Sequence, residues 1–179
     1  MTKARAVRVA AIGAPDVMKI ETSDLAAPAA GEAQIRQTAI GFNYLDISQR
    51  AGAMPLPLPT GIGHEVAGVV EAIGDGVSDV KVGDRVAYMN AGIGADADRR
   101  NVAAGKLVVL PASVSDEAAA TLLFKGMTAR YLVKKAHAIR PGELVLVHSA
   151  VHRDAWRLHG YDTAAGLRLP KSVASLPNP

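Results

Sequence analysis

Four polar residues at short spacings carry most of the chemical potential of this sequence: Asn43 and Asp46, three apart, and the adjacent pair His64 and Glu65. The chain contains no cysteine, so disulfides, thiolate zinc sites and cysteine nucleophiles are excluded together. His64, Glu65 and Asp46 could still be arranged as a histidine-carboxylate site, which is chemically permissible for zinc. The plainer reading makes His64 and Glu65 hydrogen-bonded structural groups at the start of a strand. Asn43 has a plain reading too, because at the start of a short helix it can serve simply as an N-cap. Other candidates carry less. Lys125 reads as a solvated charge at a helix end, and Gly92-Ile93-Gly94 is a glycine pair with no helix after it, unsuited to holding phosphate. His137 and His148 have no acid or nucleophile nearby in sequence and receive no role.

The elements that must position these residues are mostly short strands. Residues 3–11 and 17–22 read as a hairpin joined through Gly13-Ala14-Pro15-Asp16. In the longer strand at 32–40, Ala33, Ile35, Gln37 and Ala39 fall on one face and Gln34, Arg36, Thr38 and Ile40 on the other, the period of a half-buried strand. Residues 43–50 suit a short helix, after which Pro55, Pro57 and Pro59 forbid regular structure through Thr60. A strand then starts at Glu65 and runs through Val66, Val69, Val70 and Ile73. The turn Lys81-Val82-Gly83-Asp84 launches another at 85–88, and 98–103 and 106–110 supply two more. Many strands with frequent turn signals predict a mainly β unit, a small barrel or sandwich.

After Pro111 the period changes. Ser115 is placed to N-cap an alanine-rich helix through about Leu123, with Asp116 and Glu117 in its first turn. Gly126 is expected to interrupt that helix, and a second, through Met127, Arg130, Tyr131, Val133 and Lys134, ends before Pro141-Gly142. The run Glu143-Leu-Val-Leu-Val-His-Ser149 reads as a strand covered on both faces, leading into a nucleotide site. The glycine turn that such a site needs is replaced by Val151-His152-Arg153, whose side chains would hold a pyrophosphate away from the helix N-terminus.

Four stretches in fixed order resemble the quinone oxidoreductase branch of the zinc-free medium-chain dehydrogenase/reductase superfamily. They are Gly41-Phe42-Asn43-Tyr44-Leu45-Asp46, Gly61-Ile62-Gly63-His64-Glu65-Val66-Ala67-Gly68, Val82-Gly83-Asp84-Arg85-Val86 and Leu123-Phe124-Lys125-Gly126-Met127-Thr128-Ala129. The resemblance implies a GroES-like catalytic domain, a partly open β-barrel with short helices, over 1–124. It also implies the first helix and strand of an incomplete α/β Rossmann domain over 125–150. It further implies NADPH as cofactor and hydride transfer to a quinone or other activated carbonyl acceptor. The positions matching the cofactor-contacting segment are Asn43, Tyr44, Asp46 and Ser48, with Thr128 from the loop expected to join the two helices; no catalytic residue and no metal ligand is carried over. Asn43 stands where zinc-dependent relatives place a cysteine. Ser48 and Met54 replace tyrosines that these reductases often carry, and Asp96 falls where an aromatic is usual.

Composition bounds the reading. Of 179 residues 49% are hydrophobic and 21% charged, which suits a globular chain, and no run of about 18 apolar residues could span a bilayer. The N-terminus opens directly into strand-like sequence with no apolar leader, so the expected location is the cytoplasm. The net charge of +3 owes much to residues 151–179, where Arg153, Arg157, Arg168 and Lys171 face only Asp154 and Asp162. The remainder is close to neutral, which argues against nucleic-acid binding.

The segment 151–179 holds the only tryptophan, Trp156, and loses clear periodicity. It is expected to be an aberrant or disordered tail, the product of out-of-frame translation or a disrupted gene, or else the C-terminus of a natural short form. A single strand at 143–149 without neighbours would expose both faces and an open edge, predicting a metastable body prone to association through that edge. Two function classes follow: an NADPH-dependent reductase, expected to be inactive alone for want of its cofactor domain, or a non-catalytic module that docks on a full-length relative.

Overall fold

The computed structural model describes residues 2–140 and Glu143. Two compact units divide at Leu123/Phe124.

The first unit is mainly β. Strands β1 (Thr2–Val9) and β2 (Met18–Leu25) form the expected antiparallel hairpin, in register from Thr2 opposite Leu25 to Val9 opposite Met18. The hairpin is displaced from the expected bounds: residues 10–14 bend out of the sheet, and β2 continues to Leu25. Thr60–Gly61 forms a two-residue strand, β4, on the other side of β1. Regular pairing thus resumes at Thr60, immediately after the prolines, because only residues lacking an N–H are barred from the ladder.

A five-stranded sheet, in the order β7-β3-β5-β6-β8, forms the rest. It contains β3 (Glu32–Gly41), β5 (Glu65–Ile73), β6 (Arg85–Met89), β7 (Arg99–Ala103) and β8 (Val108–Val109). The alternation read in β3 is present, since Ala33 and Ile35 are fully buried while Arg36, Thr38 and Ile40 face outward. Gln34 breaks the pattern. Although it belongs to the outward set it is buried, with its amide donating to Ala26 O at 3.3 Å and to Asn101 Oδ1 at 3.2 Å. Residues 106–110 yield only the short β8, because the chain before it turns as a 3-10 helix at Ala104–Lys106.

The two faces of β5 serve two cores. Val66 and Val70 join Ile35, Val86, Tyr88 and Val102 on one side. Burying each such aliphatic side chain contributes about 1.5–3 kcal/mol. On the other side Ala67 and Ala87 meet Ala119 and Ala120. Alanine on both surfaces lets the helix backbone approach the sheet closely. Gly41, at the end of β3, belongs to the same seam: a Cβ there would lie 2.0 Å from Ala120 O and 2.7 Å from Glu65 Oε2.

Ser115 caps helix α2 (Asp116–Tyr131) as expected, its hydroxyl accepting from Ala118 N–H at 3.1 Å. Gly126 does not interrupt this helix, which runs unbroken through it. A lone interior glycine costs about 1 kcal/mol relative to alanine, too little to stop a helix continued by good formers on both sides. The following residues, Leu132–Ala136, widen into a π-helical turn in place of a second α-helix. The strand expected at 143–149 lies, Glu143 apart, outside the described residues, as does the 151–179 segment.

Candidate functional site

Helix α1 (Tyr44–Arg50) begins at Asn43, whose extended backbone makes it the N-cap. Asn43 and Asp46 form a capping box, in which the Asp46 carboxylate accepts from Asn43 N–H at 2.7 Å. The Asn43 side chain reaches beyond the helix, its amide donating to Glu65 Oε2 at 3.2 Å. Three residues after Asp46, on the same face of the helix, Gln49 meets His64 at 2.9 Å between Oε1 and Nε2. Asn43, Asp46, Gln49, His64 and Glu65 are all buried. Together they form a polar bracket that fastens α1 to the start of β5.

Polar side chains are buried at low cost only when paired, so these residues hold one another. His64 and Glu65 are both hydrogen-bonded within the bracket, to Gln49 and Asn43 respectively. Among the described residues no three His, Asp or Glu side chains converge as a metal site would require.

The remaining candidates lie differently. Tyr44 is 74% exposed and Phe42 64%, so two open aromatic faces flank the buried Asn43. Ser48 donates its hydroxyl to Tyr44 O at 3.1 Å. Thr128, in the second unit, lies inside α2 and not on a loop between two helices, and its hydroxyl donates to Phe124 O one turn back at 3.0 Å. Each hydroxyl oxygen retains lone pairs with which to accept a hydrogen bond.

Two participants were not among the expected site residues. Gln49 carried a signal in its spacing, since Asp46 and Gln49 must share a helix face. Asp96 carried almost none. It is set by the loop after β6, where Asp96 N–H donates to Ile62 O at 2.9 Å, Ala95 N–H to Gly63 O at 3.1 Å, and Val7 N–H to Asp96 O at 2.8 Å. The loop closes glycine against glycine, a Cβ at Gly61 lying 2.7 Å from Gly94 Cα. The carboxyl of Asp96 occupies the place of a side chain at Gly63, whose Cβ would stand 2.0 Å from Asp96 Oδ1 and whose φ of +94° also favours glycine. Burial, and secondarily the Asp46 carboxylate, push the Asp96 pKa up to about 6.

Comparison with known proteins establishes the fold and the family. Residues 29–143 match the alcohol dehydrogenase GroES-like domain. The quinone oxidoreductase of Pseudomonas aeruginosa is 38% identical over 173 residues, covering 96% of this chain and 53% of that protein. Quinone oxidoreductase 1 of Escherichia coli is 42% identical over 139 residues, covering 77% of this chain and 42% of its own. The crystal structure of Escherichia coli quinone oxidoreductase complexed with NADPH superposes with a TM-score of 0.88 at 37% identity, covering 92% of this chain and 51% of that one. The chain spans about half the length of the relatives it matches. Its mainly β unit is the GroES-like fold, and the chain belongs to the quinone oxidoreductase branch of the medium-chain dehydrogenase/reductase superfamily.

Proposed function

We propose that this chain forms the acceptor side of an NADPH-dependent, cytoplasmic oxidoreductase that reduces a quinone or another activated carbonyl compound. The observation that carries the reading is the buried bracket around Asn43, which fixes α1 so that Tyr44 and Phe42 stand open beside it. Such faces suit planar, electron-poor rings, which stack on aromatic side chains. Family membership supports the same reading.

The residues fit the nicotinamide end of NADPH. Tyr44 offers a stacking face, and the hydroxyl oxygen of Ser48 can accept from a carboxamide N–H or a ribose O–H. Asn43 and Asp46 contribute mainly by holding the segment rigid, because their polar atoms are engaged within the chain. NADPH, when bound, supplies a hydride. The protein then orients the acceptor and excludes water, effects that account for much of the rate of such reactions. In this reading residues 1–124 are the catalytic domain and 125–150 the beginning of the dinucleotide-binding domain.

The experiment is a titration of the full chain with NADPH, followed by NADPH oxidation with menadione as acceptor. Micromolar binding with menadione-dependent oxidation is the expected result. No binding at millimolar NADPH would reject the reading and favour a non-catalytic module that docks on a full-length relative.

A further inference from the structure

β2 is an outer strand of its three-stranded sheet, and its side away from β1 is an open edge. Which backbone groups line that edge follows from the neighbouring strand. Val7 N–H donates to Asp96 O at 2.8 Å and Arg5 O accepts from Asp98 N–H at 2.9 Å, so Arg5 and Val7 turn their backbone away from β2. The residues opposite them, Thr22 and Ile20, therefore turn theirs outward, where no group among the described residues meets them. The side chains are equally open. Every residue from Lys19 to Asp24 is exposed, and Ile20, at 75%, is the most exposed large apolar side chain among the described residues. Such an edge is a template for another strand unless its charges guard it. Lys19 and Glu21 flank Ile20 and share the other face of the strand. Neither has an ion pair among the described residues, and Lys19 stands across from a second cation, Arg8. Lys3, by contrast, reaches Asp24 at 2.7 Å.

We propose that β2 pairs with β2 of a second copy of this chain, antiparallel and centred on Ile20, joining the two sheets into one. Charge selects the register. A two-fold axis at Ile20 sets Lys19 opposite Glu21 of the second copy, and Glu21 opposite its Lys19, in the non-hydrogen-bonded positions where side chains come closest. An axis at Lys19 or at Glu21 would set like charges against each other, and one at Thr22 would put Asp24 against Ile20. With Ile20 at the centre, its N–H and C=O bond to those of its copy, and Thr22 N–H donates to Met18 O. Met18 N–H is already committed to Pro15 O, which ends the ladder there. On the opposite face Val7 lies across from Ile20, so the joined sheet carries Val7, Ile20 and their copies in one apolar row. On the charged face the Glu21 carboxylate of the second copy arrives beside the Arg8–Lys19 pair, which has no acid of its own. A contact one strand wide is smaller than the interface of a permanent dimer, so this dimer forms and dissociates with concentration.

The test is sedimentation velocity of the full chain from micromolar to millimolar concentration, for wild type and two charge variants. Wild type is expected to move from monomer toward dimer as concentration rises. Lys19→Glu and Glu21→Lys each make both cross-strand pairs repulsive and should weaken self-association by about tenfold or more. Mixed in equal amounts, the two variants are complementary, since the acids of one face the lysines of the other, and dimer should return at about the wild-type concentration. Both positions are exposed, and circular dichroism checks that each variant folds. A wild-type chain that stays monomeric throughout would overturn the proposal and leave the edge to a strand of a different protein. A dimer that survives both single changes would overturn it by placing association elsewhere on the chain. A mixture that fails to restore the dimer would overturn the Ile20-centred pairing.

Discussion

Asn43 donates its side-chain amide to Glu65 at 3.2 Å, linking the cap of α1 to a residue of β5 that is fully shielded from solvent. The bond makes one amide serve a helix end and a strand end together. Asn43→Ala removes both ties and leaves Glu65 short of a donor. A loss of about 1–3 kcal/mol in urea unfolding is expected, from the cap and the lost hydrogen bond combined. Asn43→Asp keeps the cap but sets a second carboxylate against buried Glu65, and should lose at least as much as the alanine variant at pH 7.

At Gly41 even a methyl group is too much. With Ala120 O at 2.0 Å from the ideal Cβ, Gly41→Ala must push α2 off the sheet or shift the end of β3. Overpacking of this kind costs about 1–3 kcal/mol where side chains yield, and more where the obstacle is backbone, as here. Thermal unfolding should show a lowered midpoint and loss of the contacts between Ala67, Ala87 and the helix.

Asp116 joins three elements, accepting from Thr38 of β3 at 2.5 Å and from Arg85 Nε of β6 at 3.0 Å. The Thr38 hydroxyl, and then Arg85, hold its carboxyl below the ordinary aspartate range. A depressed pKa stabilises the fold above the unfolded-state value and is lost as pH falls through the folded one. Asp116→Asn should therefore cost about 1–2 kcal/mol at pH 7, allowing for partial solvent screening. The gap from wild type should shrink below pH 4, as urea titrations at several pH values would reveal.

Asp96 has the opposite sign. Its pKa is raised to about 6, so it favours the folded state below the unfolded-state value and ceases to do so as pH rises through 6. Asp96→Asn should match wild type near pH 4 and exceed its stability by about 1–2 kcal/mol at pH 8, after discounting for solvent exposure. Equal stability at both pH values would show that the carboxyl is better hydrated than its setting implies.

Tyr88 tests the first core. It is 1% exposed, and its hydroxyl donates to Gln37 Oε1 at 2.8 Å. Tyr88→Phe preserves the ring but strands that oxygen, and a loss of about 1–2 kcal/mol is expected in chemical unfolding.

The strand frame was legible because β3 and β5 alternate or run apolar in the ordinary way and because turns such as Lys81-Val82-Gly83-Asp84 carry their own punctuation. The helix at 116–131 was read short, since a glycine at 126 looks like a stop while its actual penalty is smaller than the gain from neighbouring turns. Within the site, the Asn43–Asp46 spacing announced a cap. The Asn43–Glu65 and Gln49–His64 bonds did not show, because they depend on how the segment between them folds back. The nearness of Asp96 to the Asp46 carboxylate was invisible for the same reason, compounded by its dependence on a residue 33 positions earlier that contributes only an empty space.

That empty space at Gly63 means the setting of the Asp96 carboxyl is governed from a position that has no functional group at all. Any enlargement there would evict the carboxyl and alter its proton affinity while every polar side chain stayed unchanged in sequence. Variants at 63 would thus shift the titration of a carboxyl whose own residue they leave unchanged.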